Sequence, residues 1–509
     1  MNLKKFLPVL DGMLFGKEDV DILGVSYNSK EVKSGFAFFA LSGQNTNGSK
    51  YINDAVSNGA AVIIRTEKQE NCPVTQIIVK DILKFMAVFC ARFYDYPDRK
   101  LNVIGITGTN GKTTISYMIE SIFNYSNIDC AVMGTINYRY KGNIIKAPNT
   151  TPQSLDIYKF MRSVVDSGVK NIAMEVSSHA LSLYRVYGID FDIAIFTNLT
   201  QDHLDFHKNM DEYFNAKSVL FKNLGNNDDK NKKYAILNFD DKYGKKLAKL
   251  VANAQVKFYS TVKNTNSDFT ALNISIENNG TSFDLIFDGL KEKVNIKHIG
   301  LHNVYNALAS FGAAICSGIS FKAVIEGINN SAQAPGRLER VDIGGLEFDV
   351  VVDYAHTSDA LENVLSAIKK LKPKRIITVF GCGGDRDRTK RPIMGKIAVE
   401  MSDFVFVTSD NPRTENPNEI VLDIEVGIKK SYKDNYKVVV ARQEAIKEAV
   451  FMAGKGDIVL LAGKGHEVYQ IVGTQKIHFS DVEMAKKYIV LKKQKENVQS
   501  ESVQKEFSF

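Results

Sequence analysis

Gly105-Ile106-Thr107-Gly108-Thr109-Asn110-Gly111-Lys112-Thr113-Thr114 brings together glycines, one lysine and adjacent threonines in the way a triphosphate cradle requires. Glycines free successive backbone N–H groups to point at an anion, and a helix starting at the lysine adds its N-terminal donors. Lys112 can reach the β- and γ-phosphates and the Thr113 hydroxyl can ligate Mg²⁺. The strict spacing G-x-x-x-x-G-K-[ST] fails at its first position, where Ile106 stands, with Gly105 and Gly108 on either side. An ordinary tight turn before a helix is the bland alternative, and Gly-Lys-Thr-Thr at this place weighs against it. The chemistry expected is the use of a nucleoside triphosphate.

Four further clusters carry reactive or ligating groups: Asn149-Thr150-Thr151-Pro152, Glu175 to His179, Thr197 to His207, and Lys217 inside a helix-like run. Phosphoryl transfer needs Mg²⁺ held by oxygen or imidazole, and Glu175 and His203 are the natural candidates. Singly, Glu175 could cap a helix, His203 could be a satisfied structural histidine, and Lys217 could sit on a solvated face. Their joint arrival after apolar strands, beside a phosphate loop, is what favours function. Later in the chain, Asn303 and Asn306 share one helix face at i, i+3 spacing. Arg337 follows an Ala-Pro-Gly break, Asp353 and His356 end an apolar strand, and Asp410-Asn411-Pro412-Arg413 follows another. The planar fork of Arg413 suits a carboxylate.

These residues need elements to hold them. Residues 1–98 mix short strands with helical patches and end in Tyr96-Pro97-Asp98-Arg99, a linker by composition. From 99 to 333, apolar strands alternate with helical spacing, the pattern of a parallel sheet covered by helices. Residues 266–299 switch to period-two alternation around Asn-Asn-Gly, which predicts an antiparallel insertion. From 334 to 490 a second strand–helix series predicts a doubly wound sheet. The fold class is therefore α/β in three domains: a small mixed N-terminal domain, a central ATPase-type parallel sheet with a β insertion, and a Rossmann-like C-terminal domain. Residues 491–509 are polar and predict a disordered tail.

The 509 residues suffice for about three domains. A net charge of +7 suits anionic small substrates but comes without the dense basic, aromatic-laced blocks of nucleic-acid binders. Five scattered cysteines without a Cys-x-x-Cys pair argue for a reducing compartment and against zinc or disulfides. No apolar run reaches membrane-helix length and no signal-peptide core is evident, so a cytoplasmic protein without membrane insertion is expected.

Taken in order, GTNGKTT, NTTP, MEVSSHAL, TNLTQDHLDFH, YFNAKSVLF, GLHNVYNALAS, PGRLERV, VVDYAHTSDAL, GCGGDRDRTKRP, DNPRTENP and AGKGHE resemble the Mur ligases of peptidoglycan synthesis. The match runs from about residue 26 to about 470, and within the family it points to the branch that adds a third residue, meso-2,6-diaminopimelate. The resemblance implies that ATP phosphorylates the D-glutamate side-chain carboxyl of a UDP-N-acetylmuramoyl dipeptide. The amine of the amino acid then attacks the acyl phosphate. It implies ATP contacts from Gly108, Thr109, Asn110, Gly111, Lys112, Thr113, Thr114, His302, Asn303, Asn306, Arg337, Asp353 and His356. Thr113 and Glu175 would hold one Mg²⁺. His203 would hold a second with Lys217, the latter as a CO₂-derived carbamate. Ser29, Gln44, Asn45 and Thr46 would contact the UDP-sugar, and Asn149, Thr150, Thr151, Ser177 and Arg185 the sugar and peptide. Arg386, Asp410, Asn411, Pro412, Arg413, Gly463 and Glu467 would select the amino acid, with Arg413 on its distal carboxylate. Leu183 and Lys30 depart from the family pattern, which expects glutamine and arginine there. A monomer acting on small molecules is implied. The rival readings are the same ligation with L-lysine, a folylpolyglutamate synthetase, and a regulatory ATPase with no second-substrate pocket.

Overall fold

The structure, a computed structural model, describes residues 1–5, 11–42, 47–226, 232–263 and 266–506. Its strands form three main sheets. The first has five strands in the order Met13–Phe15, Thr75–Ile78, Ala60–Arg65, Phe36–Phe39, Gly24–Ser26, parallel except at the Met13–Phe15 edge.

The second sheet has eleven strands. Its centre is Asn102–Thr107, flanked in parallel by Asn171–Glu175 and Ile193–Phe196. Ile104, Ile106, Ala173, Ile193 and Ile195 are all buried, as expected for branched residues in a sheet covered on both faces. Each fully buried isoleucine contributes roughly 1.5–3 kcal/mol. The helix Lys112–Tyr125 leaves the end of the central strand and packs Ile115, Met118, Ile119 and Ile122 against the sheet and against the helices Leu301–Cys316 and Phe321–Asn329.

The expected insertion is antiparallel, with Phe269–Glu277, Gly280–Phe287 and Leu290–Ile296 turning at Asn278-Asn279. It does not stand apart, however. Phe269–Glu277 pairs in parallel with Gln255–Ser260 and so extends the central sheet. The opposite edge carries a second antiparallel run, Asn137–Tyr140 and Asn143–Lys146.

The third sheet runs Glu339–Val341, Asp349–Asp353, Ile458–Ala462, Ile376–Phe380, Phe404–Val407, Tyr436–Val438, parallel after the first antiparallel pair. Ser358–Lys370, Lys390–Met401 and Pro417–Lys430 cover one face; Arg442–Met452 and the helix beginning at Asp481 cover the other. Strand order reverses around Ile458–Ala462, so the C-terminal ends of its neighbours converge on one crevice.

The tail requires a correction. The helix Asp481–Glu506 continues through residues 491–506, where disorder was expected, and residues 507–509 lie outside the described residues. Its first turns bury Ala485, Tyr488 and Ile489 against the sheet. No Gly or Pro interrupts the Lys-, Gln- and Glu-rich continuation, so an anchored helix can propagate despite its polarity.

Candidate active site

The strand Asn102–Thr107 ends in a turn that only glycine can make. Gly108 (φ +147°) and Gly111 (φ +93°) occupy the left-handed region, and a Cβ on Gly108 would lie 1.8 Å from Thr197 Oγ1. Gly111 opens the helix Lys112–Tyr125 without a side-chain cap and with no acidic residue in the first turn, leaving its N–H groups for an anion. Asn198 braces the loop, its carbonyl accepting from Thr109 N at 2.9 Å and its side chain from Asn110 N at 3.0 Å. Lys112 Nζ folds back to donate to Gly108 O (2.9 Å) and Thr109 O (2.8 Å). Burial pulls this lysine below its ordinary range, opposed by Glu175 and Asp202.

Glu175 ends the adjacent strand and is 1% exposed. Its carboxylate accepts from Thr113 Oγ1 (3.1 Å), Thr135 N (2.9 Å) and Thr135 Oγ1 (2.8 Å). Glu175 and Thr113 thus form the pair that the first Mg²⁺ would need.

Lys217, on the helix Met210–Lys222, is 1% exposed and donates from Nζ to the same Gly108 carbonyl at 2.9 Å. Burial, then the neighbouring charge of Lys112, hold it well below the lysine range, and Asp202 opposes them. It is a buried amine against the phosphate loop, not a surface lysine.

His203 has left-handed backbone (φ +56°) and its ring lies 3.3 Å from Asp202 Oδ2. Burial lowers it to about 3, opposed by Asp202. Asp202 also approaches His356 (4.0 Å) and Lys390 (3.9 Å) from the third sheet's part of the chain. His356 is lowered to about 4, mainly by burial and then by the charge of Lys390. Among the described residues no cluster of three or more His, Cys, Asp or Glu forms a ready metal site. A divalent ion here would draw on hydroxyls and phosphate oxygens as well.

Two cavities flank this centre. One, of about 300 Å³, is lined by Asn110, Gly111, Thr114, His302, Asn303, Asn306, Arg337 and Asp353. Asn306 Nδ2 donates to Asn303 Oδ1 at 3.0 Å and Asn303 Nδ2 to Ile299 O at 2.9 Å, so the two asparagines act as one relay. Burial holds His302 near 4, a neutral ring. Arg337 reaches Thr113 Oγ1 at 3.4 Å, and Asn110 Nδ2 donates to Asp359 Oδ2 at 2.7 Å, closing the third part of the chain onto the phosphate loop. Asp353 lines this cavity, but its oxygens already accept from Leu338 N (2.7 Å) and Ala355 N (2.8 Å). Its contribution is to pin the backbone beside Arg337.

The other cavity, about 190 Å³, joins Asp202, His203, His356 and Lys390 to Arg386, Asp410, Asn411, Arg413, Gly463 and Glu467. His356 lines this cavity and is absent from the lining of the first. Arg413 (φ +52°) donates from Nη1 to Gly384 O at 2.7 Å; burial, then Arg386, lower its pKa. Pro412 O blocks any side chain at residue 384, a Cβ there falling 1.9 Å away. Gly463 (φ +114°) lets the chain pass Asp410, whose Oδ2 would be 2.7 Å from a Cβ. Lys464, wholly buried, donates to Glu467 Oε2 and Asn411 Oδ1, both at 3.2 Å, and Asn411 Nδ2 donates to Glu467 Oε2 at 2.9 Å. Glu467 is raised by burial, opposed by Lys464.

Of the residues expected at the sugar and peptide, Thr151 Oγ1 donates to Glu175 O at 2.7 Å and accepts from Ser177 N at 3.1 Å. Arg185 Nη1 donates to Thr151 O at 2.9 Å, and Thr150 meets Thr135 at 3.1 Å. Asn149 O accepts from Tyr138 OH. Ser29 is buried on a short turn, with Lys30 exposed beside it. Two residues before Ser29, Tyr27 OH donates to Asp156 Oδ2 at 2.7 Å and ties the first sheet's part of the chain to this region. Gln44, Asn45 and Thr46 lie outside the described residues.

Three family models match the chain in sequence order: the Mur ligase family, catalytic domain, over residues 21–94; the Mur ligase middle domain over 106–314; and the Mur ligase, glutamate ligase domain, over 336–465. The UDP-N-acetylmuramoyl-L-alanyl-D-glutamate–2,6-diaminopimelate ligase 1 of Clostridium acetobutylicum is 46% identical over 494 residues, covering 96% of this chain and 99% of its own. The corresponding ligase of Clostridium tetani is 45% identical over 495 residues, with the same coverage. The chain belongs to the Mur ligase family. A solved structure of a UDP-N-acetylmuramoyl-L-alanyl-D-glutamate–2,6-diaminopimelate ligase superposes with a TM-score of 0.68 at 32% identity, over 96% of this chain and 99% of that one. In this Mur ligase the sequence motifs led to the loop, Glu175, His203 and Lys217. They did not single out Asp202, Asp359, Lys390 or Lys464. Lys390 and Lys464 stand inside GCGGDRDRTKRP and AGKGHE, and only their burial distinguishes them from ordinary loop lysines.

Proposed function

We propose that this Mur ligase joins meso-2,6-diaminopimelate to the D-glutamate side-chain carboxyl of UDP-N-acetylmuramoyl-L-alanyl-D-glutamate, using ATP and passing through an acyl phosphate, in the cytoplasmic stage of peptidoglycan synthesis. The observation that carries the reading is a cavity holding two guanidiniums, Arg386 and Arg413, together with the carboxylates of Asp410 and Glu467. That cavity opens on His203 and Asp202. An amino acid with a carboxylate and an ammonium at each end meets both signs there. L-lysine lacks the distal carboxylate and would leave a guanidinium without its anion.

A carboxylate is a poor electrophile, and giving its oxygen to the γ-phosphate creates a leaving group. The chain then has to align two anions and neutralise them. Lys112 and the N–H groups after Gly111 hold the triphosphate. His302, Asn303, Asn306 and Arg337 enclose the rest of ATP, while Asp353 fixes the Arg337 backbone. Thr151, Ser177 and Arg185 position the dipeptide beside Glu175. The Thr113–Glu175 pair fits one Mg²⁺, and His203, as a neutral ring, fits a second. Lys217 fits a CO₂-derived carbamate, because only a neutral amine adds to CO₂ and burial shifts Lys217 towards that form. When bound, these groups supply charge neutralisation at the transferring phosphoryl and an anionic oxygen where an ammonium would repel metal. The reading includes a monomer of three parts divided near residues 98 and 333.

The test is a product assay with diaminopimelate and L-lysine in competition, run with ATP and the dipeptide nucleotide. Diaminopimelate product should dominate, and ATP turnover should require both other substrates. Equal use of the two amino acids would favour the lysine-adding reading, and turnover without either would favour a regulatory ATPase.

A further inference from the structure

Arg386 and Arg413 are brought together against their mutual repulsion, on two loops with no regular structure of their own. Something must hold the loop 383–386 to the loop 411–415. Arg391 is wholly buried in the first turn of the helix Lys390–Met401. Its guanidinium grips the Glu415 carboxylate with both nitrogens, Nη1 to Oε2 at 2.9 Å and Nη2 to Oε1 at 2.8 Å. Nη1 also donates to Asp423 Oδ2 at 2.9 Å and Nη2 to Gly383 O at 3.3 Å. Glu415 accepts in addition from Asp385 N, and the Asp385 carboxylate accepts from Thr414 Oγ1 (2.7 Å) and Thr414 N (3.2 Å). These connections join one arginine-bearing loop to the other or to the helix beneath, and the Arg391–Asp423 bond ties that helix to the helix Pro417–Lys430. Of these residues only Gly383 lines the amino-acid cavity.

We propose that Arg391 and Glu415 form a positioning staple that sets the spacing of Arg386 and Arg413, and so sets the preference for an amino acid with a distal carboxylate. The proposal deepens the function given above and rests on it. The bidentate geometry is the working part: a planar fork fixes both distance and angle between the loops, and a lysine ammonium fixes neither. Loosening the staple lets the two guanidiniums spread apart and weakens their grip on the distal carboxylate. The phosphate loop, on another sheet, is untouched.

The experiment compares Glu415→Gln and Arg391→Lys with wild type, measuring KM for diaminopimelate, ATP and the dipeptide nucleotide, kcat/KM for L-lysine, and thermal midpoint. Loss of a hydrogen bond to a charged group corresponds to roughly a tenfold to hundredfold change. The KM for diaminopimelate should rise by that factor with kcat, the other two KM values and L-lysine use little changed. The ratio of diaminopimelate to lysine efficiency then falls by the same factor. An unchanged KM for diaminopimelate in both folded variants overturns the staple. So does a parallel rise in all three KM values, or failure of both variants to fold, since the network would then serve the fold and not the pocket. A wild type that prefers L-lysine sinks the substrate assignment instead, and the wild-type ratio reads that independently of either variant.

Discussion

Replacing Lys217 with methionine should make the protein more stable and nearly inactive. The amine is 1% exposed and its one hydrogen-bond acceptor, Gly108 O, is also served by Lys112 Nζ at 2.9 Å. Methionine keeps an unbranched chain against Tyr213 and leaves that carbonyl satisfied. Because Lys217 is depressed well below the lysine range by burial and by Lys112, the unfolded chain keeps this proton to higher pH than the folded chain does. Stability therefore rises with pH between the folded and unfolded pKa values, and burial of the amine is a cost at neutral pH. Removing an amine whose protonation the fold disfavours relieves that cost, at about 2–4 °C of midpoint per kcal/mol for a unit of this size. A gain of several degrees is expected in CO₂-depleted, metal-free buffer at pH 7. It should shrink as the pH approaches ~10.4, where free lysine loses its proton. Ligation should fall by at least about a hundredfold, the scale on which one preorganised electrostatic group acts. Calorimetry across pH, with product formation on the same samples, reads both effects. A Lys217→Met protein less stable than wild type by a margin independent of pH would refute a lysine depressed by burial. Retained ligation would refute its role.

Gly111→Ala places a Cβ 2.4 Å from Asn306 Oδ1 at φ +93°, a strain of about 1–3 kcal/mol, and should raise the KM for ATP about tenfold in initial-rate measurements. Arg413→Ala should lower kcat/KM for diaminopimelate by a hundredfold or more, from the ~3–5 kcal/mol typical of a buried charge pair losing one partner. Equilibrium binding of ATP should not change, and a parallel loss of ATP affinity would show that Arg413 only supports the fold. Arg442 and Asp481 are both wholly buried and pair through Nε to Oδ1 at 2.8 Å, so Arg442→Ala should cost ~3–5 kcal/mol and lower the thermal midpoint by roughly 10 °C. A midpoint within a degree of wild type would mean that water reaches the pair.

Much of the site was legible because its chemistry is written in short runs. Gly-Thr-Asn-Gly-Lys-Thr specifies a turn and a helix start without help from distant residues, and it folds as such. Glu175 follows NIAM directly and Asn198 comes two residues after the end of IAIF, so strand ends deliver them by counting alone. What escaped was defined by contact. Asp202 meets Lys390 and His356 across more than 150 positions of sequence, and Lys464 acquires its partners only when Asn411 arrives from another strand end. Asp353 was expected at the nucleotide; it lines that cavity, and its carboxylate also accepts from two backbone donors that only the folded chain brings to it. The tail was misjudged because polarity was weighed without the buried anchor of Tyr488 and Ile489 that starts the helix.

The sequence by itself determined the elements, their order and the residue types at their ends, since backbone conformation and apolar periodicity are local properties. Only the tertiary structure decided electrostatic state. Lys217 could sit on a solvated face as far as its sequence goes, until the helix Met210–Lys222 lays it against Gly108, where exclusion of water and the nearness of Lys112 push it well below the lysine range. Desolvation depends on every neighbour at once, and no stretch of sequence contains that sum.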